Sequence, residues 1–208
     1  MHGGSAPPSH RRPPFVGLTG AIAAGKSEAL DAFARLGAAT LSTDELAHEL
    51  LDDPQMGARL SARWGERVLA GDRVDRKRVG EIVFGDPGEL AWLESVLHPL
   101  VGLRVAAWRS ELPREAPLAV VEVPLLFEAG LEAAFDATVC VIAADGTRAE
   151  RARERGTELL EGRSGRQLSQ EEKAARATHV LRNDGSLADL EREAARLMQL
   201  LIARRGTG

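Results

Sequence analysis

Residues Gly20 to Ser27, reading GAIAAGKS, satisfy G-x-x-x-x-G-K-[ST] at every fixed position. They stand between the apolar run FVGLT (15–19) and SEALDAFARLG, in which Leu30, Phe33 and Ala34 recur at helical spacing and Gly37 supplies a stop. A strand that ends in a glycine turn and restarts at once as a helix is the opening unit of an α/β layered fold. The spacing has a physical reason. Two glycines let the backbone turn tightly, so that successive N–H groups face phosphate oxygens. The helix starting near Lys26 adds its positive end. The Lys26 ammonium is placed for β- and γ-phosphates, and the Ser27 hydroxyl for Mg²⁺. Gly20, Ala21, Ile22, Ala23, Ala24, Gly25, Lys26 and Ser27 are therefore expected to cradle a triphosphate. A chance match in a glycine turn is the alternative, and the strand–loop–helix context argues against it.

The rest of the chain alternates in the same way. AATLS (38–42), LAVVEV (118–123), ATVCVI (137–142) and ATHVL (177–181) read as further strands. The near-continuous apolarity of the middle two suits a parallel sheet covered on both faces. Helices are expected at about 146–156 and 186–205. Between the second and third strands, about 44–116 reads as helices alone, punctuated by Pro54, Pro87 and Pro99, and too long for a loop. The expectation is an α/β domain over 15–208: a five-stranded parallel sheet flanked by helices, a helical insertion at 44–116, and a short lid at about 150–172. The stretch 156–172 reads as an irregular flap. Residues 1–14 read as a disordered leader without the apolar core of a secretory signal.

Composition narrows the function. A net charge of -4 argues against a nucleic-acid binder. No apolar stretch is read as approaching the roughly 18 residues of a membrane span. The single cysteine, Cys140, excludes an internal disulfide and lies in ATVCVI, where a buried thiol is expected. A cytoplasmic monomer acting on a small molecule, without nucleic-acid or membrane partners, is the reading.

Other residues carry two readings each. Asp44, just past the second strand, is either a carboxylate that takes a hydroxyl proton or the N-cap of the helix that follows. Arg151 and Arg155 share a helix face, aimed at a phosphoryl group or paired with Glu150 and Glu154. His98 precedes Pro99 in a helix, the usual setting of a core histidine. Glu122 ends LAVVE, where an acid for Mg²⁺ can sit. Asn183 and Gly185 form a turn-favouring Asn-Asp-Gly.

In VGLTGAIAAGKS (16–27), LSTDELAHEL (41–50), LHPLV (97–101), VEVPLLFEAGLE (121–132), the arginine-bearing segment 148–156 and THVLRNDGS (178–186), the chain resembles the dephospho-CoA kinase family from about Phe15 to Leu201. The resemblance implies ATP as co-substrate with Mg²⁺ and dephospho-CoA as acceptor. It implies Asp44 at the accepting 3′-hydroxyl and His98 in the wall of the acceptor site. It also implies Lys26 and Arg151 as catalytic groups, Arg155 near the phosphates, and Asn183 and Gly185 near the adenine. The sequence departs from the family pattern at Ser42, Ala21 and Glu28, and the roles of Arg163 and Arg166 stay open. A nucleoside monophosphate or other small-metabolite kinase is the alternative enzyme, and a slowly hydrolysing nucleotide switch the alternative outside enzymes.

Overall fold

The computed structural model describes residues 12–154 and 167–203. Residues 1–11, most of the expected leader, lie outside them, as do Arg155, Arg163, Arg166 and most of the expected flap. Pro13 and Pro14, placed in the leader by sequence, are buried, and Pro14 O accepts the Ala119 N–H at 2.9 Å.

The described chain falls into two compact units, one of residues up to Leu41 and from Glu111 on, the other of Ser42–Ser110. The first is built on a five-stranded parallel sheet flanked by helices. Its strands are β1 (Phe15–Gly20), β2 (Ala39–Ser42), β5 (Ala119–Glu122), β6 (Ala137–Ile142) and β7 (His179–Arg182), in the order β2-β5-β1-β6-β7. Register sets Leu18 beside Glu122 on one side of β1 and Val139 on the other. The strands are apolar along their length because both faces are covered. Val16, Leu18, Val120, Val139 and Val141 meet Phe33 of α1 (Lys26–Arg35) in one core. Leu190, Ala194, Leu197 and Leu201 of α8 (Leu187–Ala203) join the same core. Two glycines on β1 are dictated by close approach. A Cβ at Gly17 would lie 2.5 Å from Leu126 Cδ1, and one at Gly20 would lie 2.5 Å from the Val141 carbonyl oxygen. Helices α6 (Asp145–Glu154) and α7 (Gln170–Arg176) also belong to this unit.

Residues 170–172, taken from sequence as the end of the flap, open α7 instead. Ser169 and Glu172 form a reciprocal capping box, the S-x-x-E signal that the charged surroundings disguised.

The second unit contains α2 (Thr43–Leu51), α3 (Pro54–Trp64), α4 (Arg76–Gly85) and α5 (Pro87–Glu111). Pro54 and Pro87 each open a helix, where their missing N–H costs nothing. Leu60, Val68, Met56 and Val79 fill its core, and Trp64 packs edge-on against Trp92 with centroids 5.1 Å apart. Two expectations fail here. The unit is not helical throughout: β3 (Leu69–Ala70) and β4 (Arg73–Val74) form an antiparallel hairpin across Gly71-Asp72, with Gly71 at φ 65°. A glycine that accepts positive φ is what so tight a turn demands. The second concerns α5, which runs through Pro99 as its helical spacing indicated. The proline removes one backbone bond, to the carbonyl of Ser95, and the helix carries on for three turns. The helix has the length and apolar composition of a membrane span, against the expectation that no apolar stretch approaches that length. Leu93 and Leu97 on it are buried in the core of this unit.

Candidate active site

Strand β1 delivers Gly20 to the carboxyl edge of the sheet, the side on which open α/β sheets bind ligands. The chain turns through Ala21–Ala24 and enters α1 with Gly25 as its N-cap at φ 89°. Neither glycine can be replaced by a larger residue. Gly20 runs against β6 as described above, and a Cβ on Gly25 would fall 2.0 Å from Asn183 Nδ2. Within the loop, Ala24 N–H donates to Ala21 O at 3.3 Å and Lys26 Nζ donates to the same oxygen at 3.2 Å. Ala23 has φ 60°, the left-handed region, where an L-residue costs roughly 1–2 kcal/mol. Among the described residues it is the one non-glycine with positive φ.

Ser27 is exposed in the first turn of α1, and Glu28 adds a carboxylate there that suits the helix dipole. The sequence motif thus becomes a loop of backbone amides ahead of a helix N-terminus, with a lysine and a hydroxyl at its far end. Such an arrangement binds phosphate.

The segments after β6 and β7 meet this loop. Beyond β6, Arg148 on α6 donates from Nε to Ile22 O at 3.1 Å, and its Nη1 lies 3.2 Å from Asp145. Arg151, one turn along, has a buried Nη1 without a hydrogen-bond partner among the described residues. An orphaned guanidinium N–H is costly, and an anionic ligand is the chemistry that satisfies it. Beyond β7, Asn183 is 4% exposed and donates from Nδ2 to Ala24 O at 3.1 Å. Gly185 lets Asp189 pack close, since a Cβ there would stand 2.7 Å from Asp189 Oδ2. Asp189 in turn accepts from the Ser186 hydroxyl and N–H at the start of α8.

Other expected residues occupy plainer settings. Ser42 ends β2 and is the N-cap of α2, accepting from Glu45 N–H. The capping alternative for Asp44 therefore fails: Asp44 stands in the first turn with an exposed carboxylate that capping does not use. His98 is exposed on α5, not a core histidine. Glu122 is buried on β5. Burial pushes the Cys140 thiol up to about 11, against the opposing pull of the Lys173 and Lys26 charges.

Sequence reasoning missed three residues. Arg148 was a member of an arginine-rich run with no sign of which arginine turned inward. Lys173 and Glu128 form a buried pair at 3.0 Å, with Lys173 Nζ also donating to Pro124 O at 2.7 Å. Pro124 O accepts from Thr19 Oγ1 as well, which ties the loop after β5 to the last turn of β1.

Known proteins share this organisation. The family model for dephospho-CoA kinase matches residues 14–189. A dephospho-CoA kinase of Deinococcus radiodurans is 39% identical over 202 residues, spanning 95% of this chain and 97% of that protein. Among solved structures, a Thermus thermophilus protein superposes with a TM-score of 0.78 at 36% identity, covering 92% of this chain and 99% of the other. A dephospho-CoA kinase from Campylobacter jejuni gives a TM-score of 0.68 at 27% identity, covering 92% and 98%. With a family model matched over residues 14–189 and end-to-end similarity of this kind, the chain belongs to the dephospho-CoA kinase family.

Proposed function

We propose that the protein transfers the γ-phosphate of ATP to the ribose 3′-hydroxyl of dephospho-CoA, giving coenzyme A and ADP. The observation that carries this is the loop of Gly20–Ser27, which leads from β1 into the N-terminus of α1 in a chain whose family match runs from 14 to 189. The loop amides hold the triphosphate, and Lys26 exchanges its bond to Ala21 O for the β- and γ-phosphate oxygens. Arg151 turns its buried Nη1 to the phosphoryl group, whose charge it offsets during transfer. Asp44 orients the accepting hydroxyl and takes its proton. His98 contacts the acceptor, 44–116 is the acceptor-binding insertion, and the 183–185 turn lies on the nucleotide side.

The residues present fit Mg²⁺. That ion keeps most of its waters and takes substrate phosphate oxygens with one or two hard protein ligands, and the exposed Ser27 hydroxyl is such a ligand. When bound, it neutralises charge on the β- and γ-oxygens. The protein works in the cytoplasm as a monomer on small molecules, without nucleic acid or membrane. Its net charge of -4 supports the exclusion of nucleic acid. The readings as a nucleoside monophosphate kinase or a nucleotide switch give way to the family match.

Asp44→Asn tests the chemistry. If Asp44 is the base, kcat falls by about 10²–10⁴-fold while the affinity for ATP holds. An unchanged kcat would remove Asp44 from catalysis.

A further inference from the structure

Two side chains outside the Gly20–Ser27 motif grip the loop on either side of its strained residue. Ala23 keeps φ 60° although alanine does not favour it, and such a conformation lasts only where the surroundings hold it. The carbonyl before it, Ile22 O, accepts from Arg148 Nε at 3.1 Å. The carbonyl after it, Ala24 O, accepts from Asn183 Nδ2 at 3.1 Å.

Both donors are themselves anchored at the carboxyl end of β6. Asn183 N–H donates to Ile142 O at 2.8 Å, and Asp184 accepts from Ala144 N–H. Arg148 N–H donates to Ala144 O at 2.9 Å, and Asp145 steers its guanidinium. Gln170 closes the same edge, with its side-chain amide exchanging two bonds with Ala143.

The consequence follows from peptide geometry. In a trans peptide the C=O and the next N–H point in opposite directions from one rigid plane. A donor on Ile22 O therefore fixes where Ala23 N–H points, and a donor on Ala24 O fixes Gly25 N–H. Each amide then points away from the side chain that holds its carbonyl.

We propose that Arg148 and Asn183 are positioning residues for phosphate binding. They act through the backbone, holding the Ile22–Ala23 and Ala24–Gly25 peptide planes so that the Ala23 and Gly25 amides are aimed at a polyphosphate before it arrives. This rests on the phosphate-loop reading of Gly20–Ser27. It assigns Asn183 to the loop backbone and not to the adenine ring. It also explains how alanine is tolerated at a left-handed position: the two braces supply what glycine would supply through its own freedom.

The test is binding of Mg²⁺ with inorganic tripolyphosphate, a probe without a base, compared with Mg-ATP by titration calorimetry. Arg148→Met and Asn183→Leu keep bulk and remove the donor without adding a charge, so the fold is preserved where an alanine would leave a gap. Each is expected to weaken tripolyphosphate and ATP by the same factor, about fivefold per lost hydrogen bond. Arg148→Lys, which retains a donor, recovers part of the loss. Adding Ala23→Gly recovers most of it, because the loop then reaches the left-handed conformation unaided. A loss confined to ATP would overturn the proposal and make Asn183 a base contact. Equal losses with no recovery from Ala23→Gly would also overturn it, since the side chains would then act directly and not through the strained backbone. Lys26→Ala separates this from the underlying reading. If it leaves tripolyphosphate binding intact, the phosphate loop itself is wrong; if it abolishes binding while the brace variants bind normally, the braces alone are.

Discussion

Lys173 Nζ and Glu128 Oε1 stand 3.0 Å apart, with the lysine wholly enclosed and Glu128 also accepting the Leu168 N–H at 2.9 Å. The pair joins the loop after β5 to α7, and Pro124 O takes a second bond from the same ammonium. Glu128 Oε2 is buried with no hydrogen-bond partner among the described residues, so the carboxylate relies on Lys173 for most of its compensation.

Removing the lysine alone should therefore be severe. Lys173→Met leaves a buried carboxylate unpaired and is expected to cost about 3–5 kcal/mol in urea unfolding. Replacing both, Lys173→Met with Glu128→Leu, should recover most of that loss, because two apolar side chains need no partner. If the single and double variants are equally destabilised, the pair's charge is not what holds this corner.

Two β1 glycines separate backbone from side-chain crowding. The Cβ of Gly17→Ala meets Leu126 Cδ1, the tip of a flexible side chain that can turn aside, so a loss of about 1–3 kcal/mol is expected. The Cβ of Gly20→Ala meets the Val141 carbonyl, which cannot move without parting β1 from β6. Thermal unfolding should show the larger loss at Gly20, together with weakened ATP binding. A larger loss at Gly17 would contradict the geometry.

How far the chain could be read beforehand follows the range of the interactions involved. The strands, α1, α6 and α8 carry their signals locally, in apolar runs and helical spacing, and ATVCVI matches β6 residue for residue. GAIAAGKS was legible because its chemistry sits in consecutive residues. The β3–β4 hairpin was overlooked because two residues per strand give no period to detect, although Gly71-Asp72 was a usable turn signal. Lys173, Glu128 and Arg148 were hidden for a deeper reason. Only partners distant in sequence, such as Pro124 for Lys173 and Ile22 for Arg148, turn such a residue inward.

Cys140 gives a pH signature. Its thiol is fully buried, and its pKa is raised from the ordinary 9.0 to about 11. The unfolded chain gives up this proton near pH 9, and the folded protein holds it until about 11. The stabilisation is complete below about pH 9 and is lost as pH rises through 11, by up to about 2 kcal/mol. The chain has no tyrosine, so no phenol titrates in this window. Wild type should lose stability across pH 9–11 more steeply than Cys140→Ala, as read by urea unfolding. Parallel curves would contradict the buried-thiol account.

The central claim is the reaction itself, and ADP release tests it most directly. Mg-ATP would be supplied with dephospho-CoA, AMP, CMP or no acceptor, using wild type, Lys26→Ala and Asp44→Asn. The account predicts rapid ADP release with dephospho-CoA alone, matched mole for mole by coenzyme A and lost in both variants. Release driven by AMP or CMP, or no acceptor-dependent release from a protein that binds ATP, would contradict it.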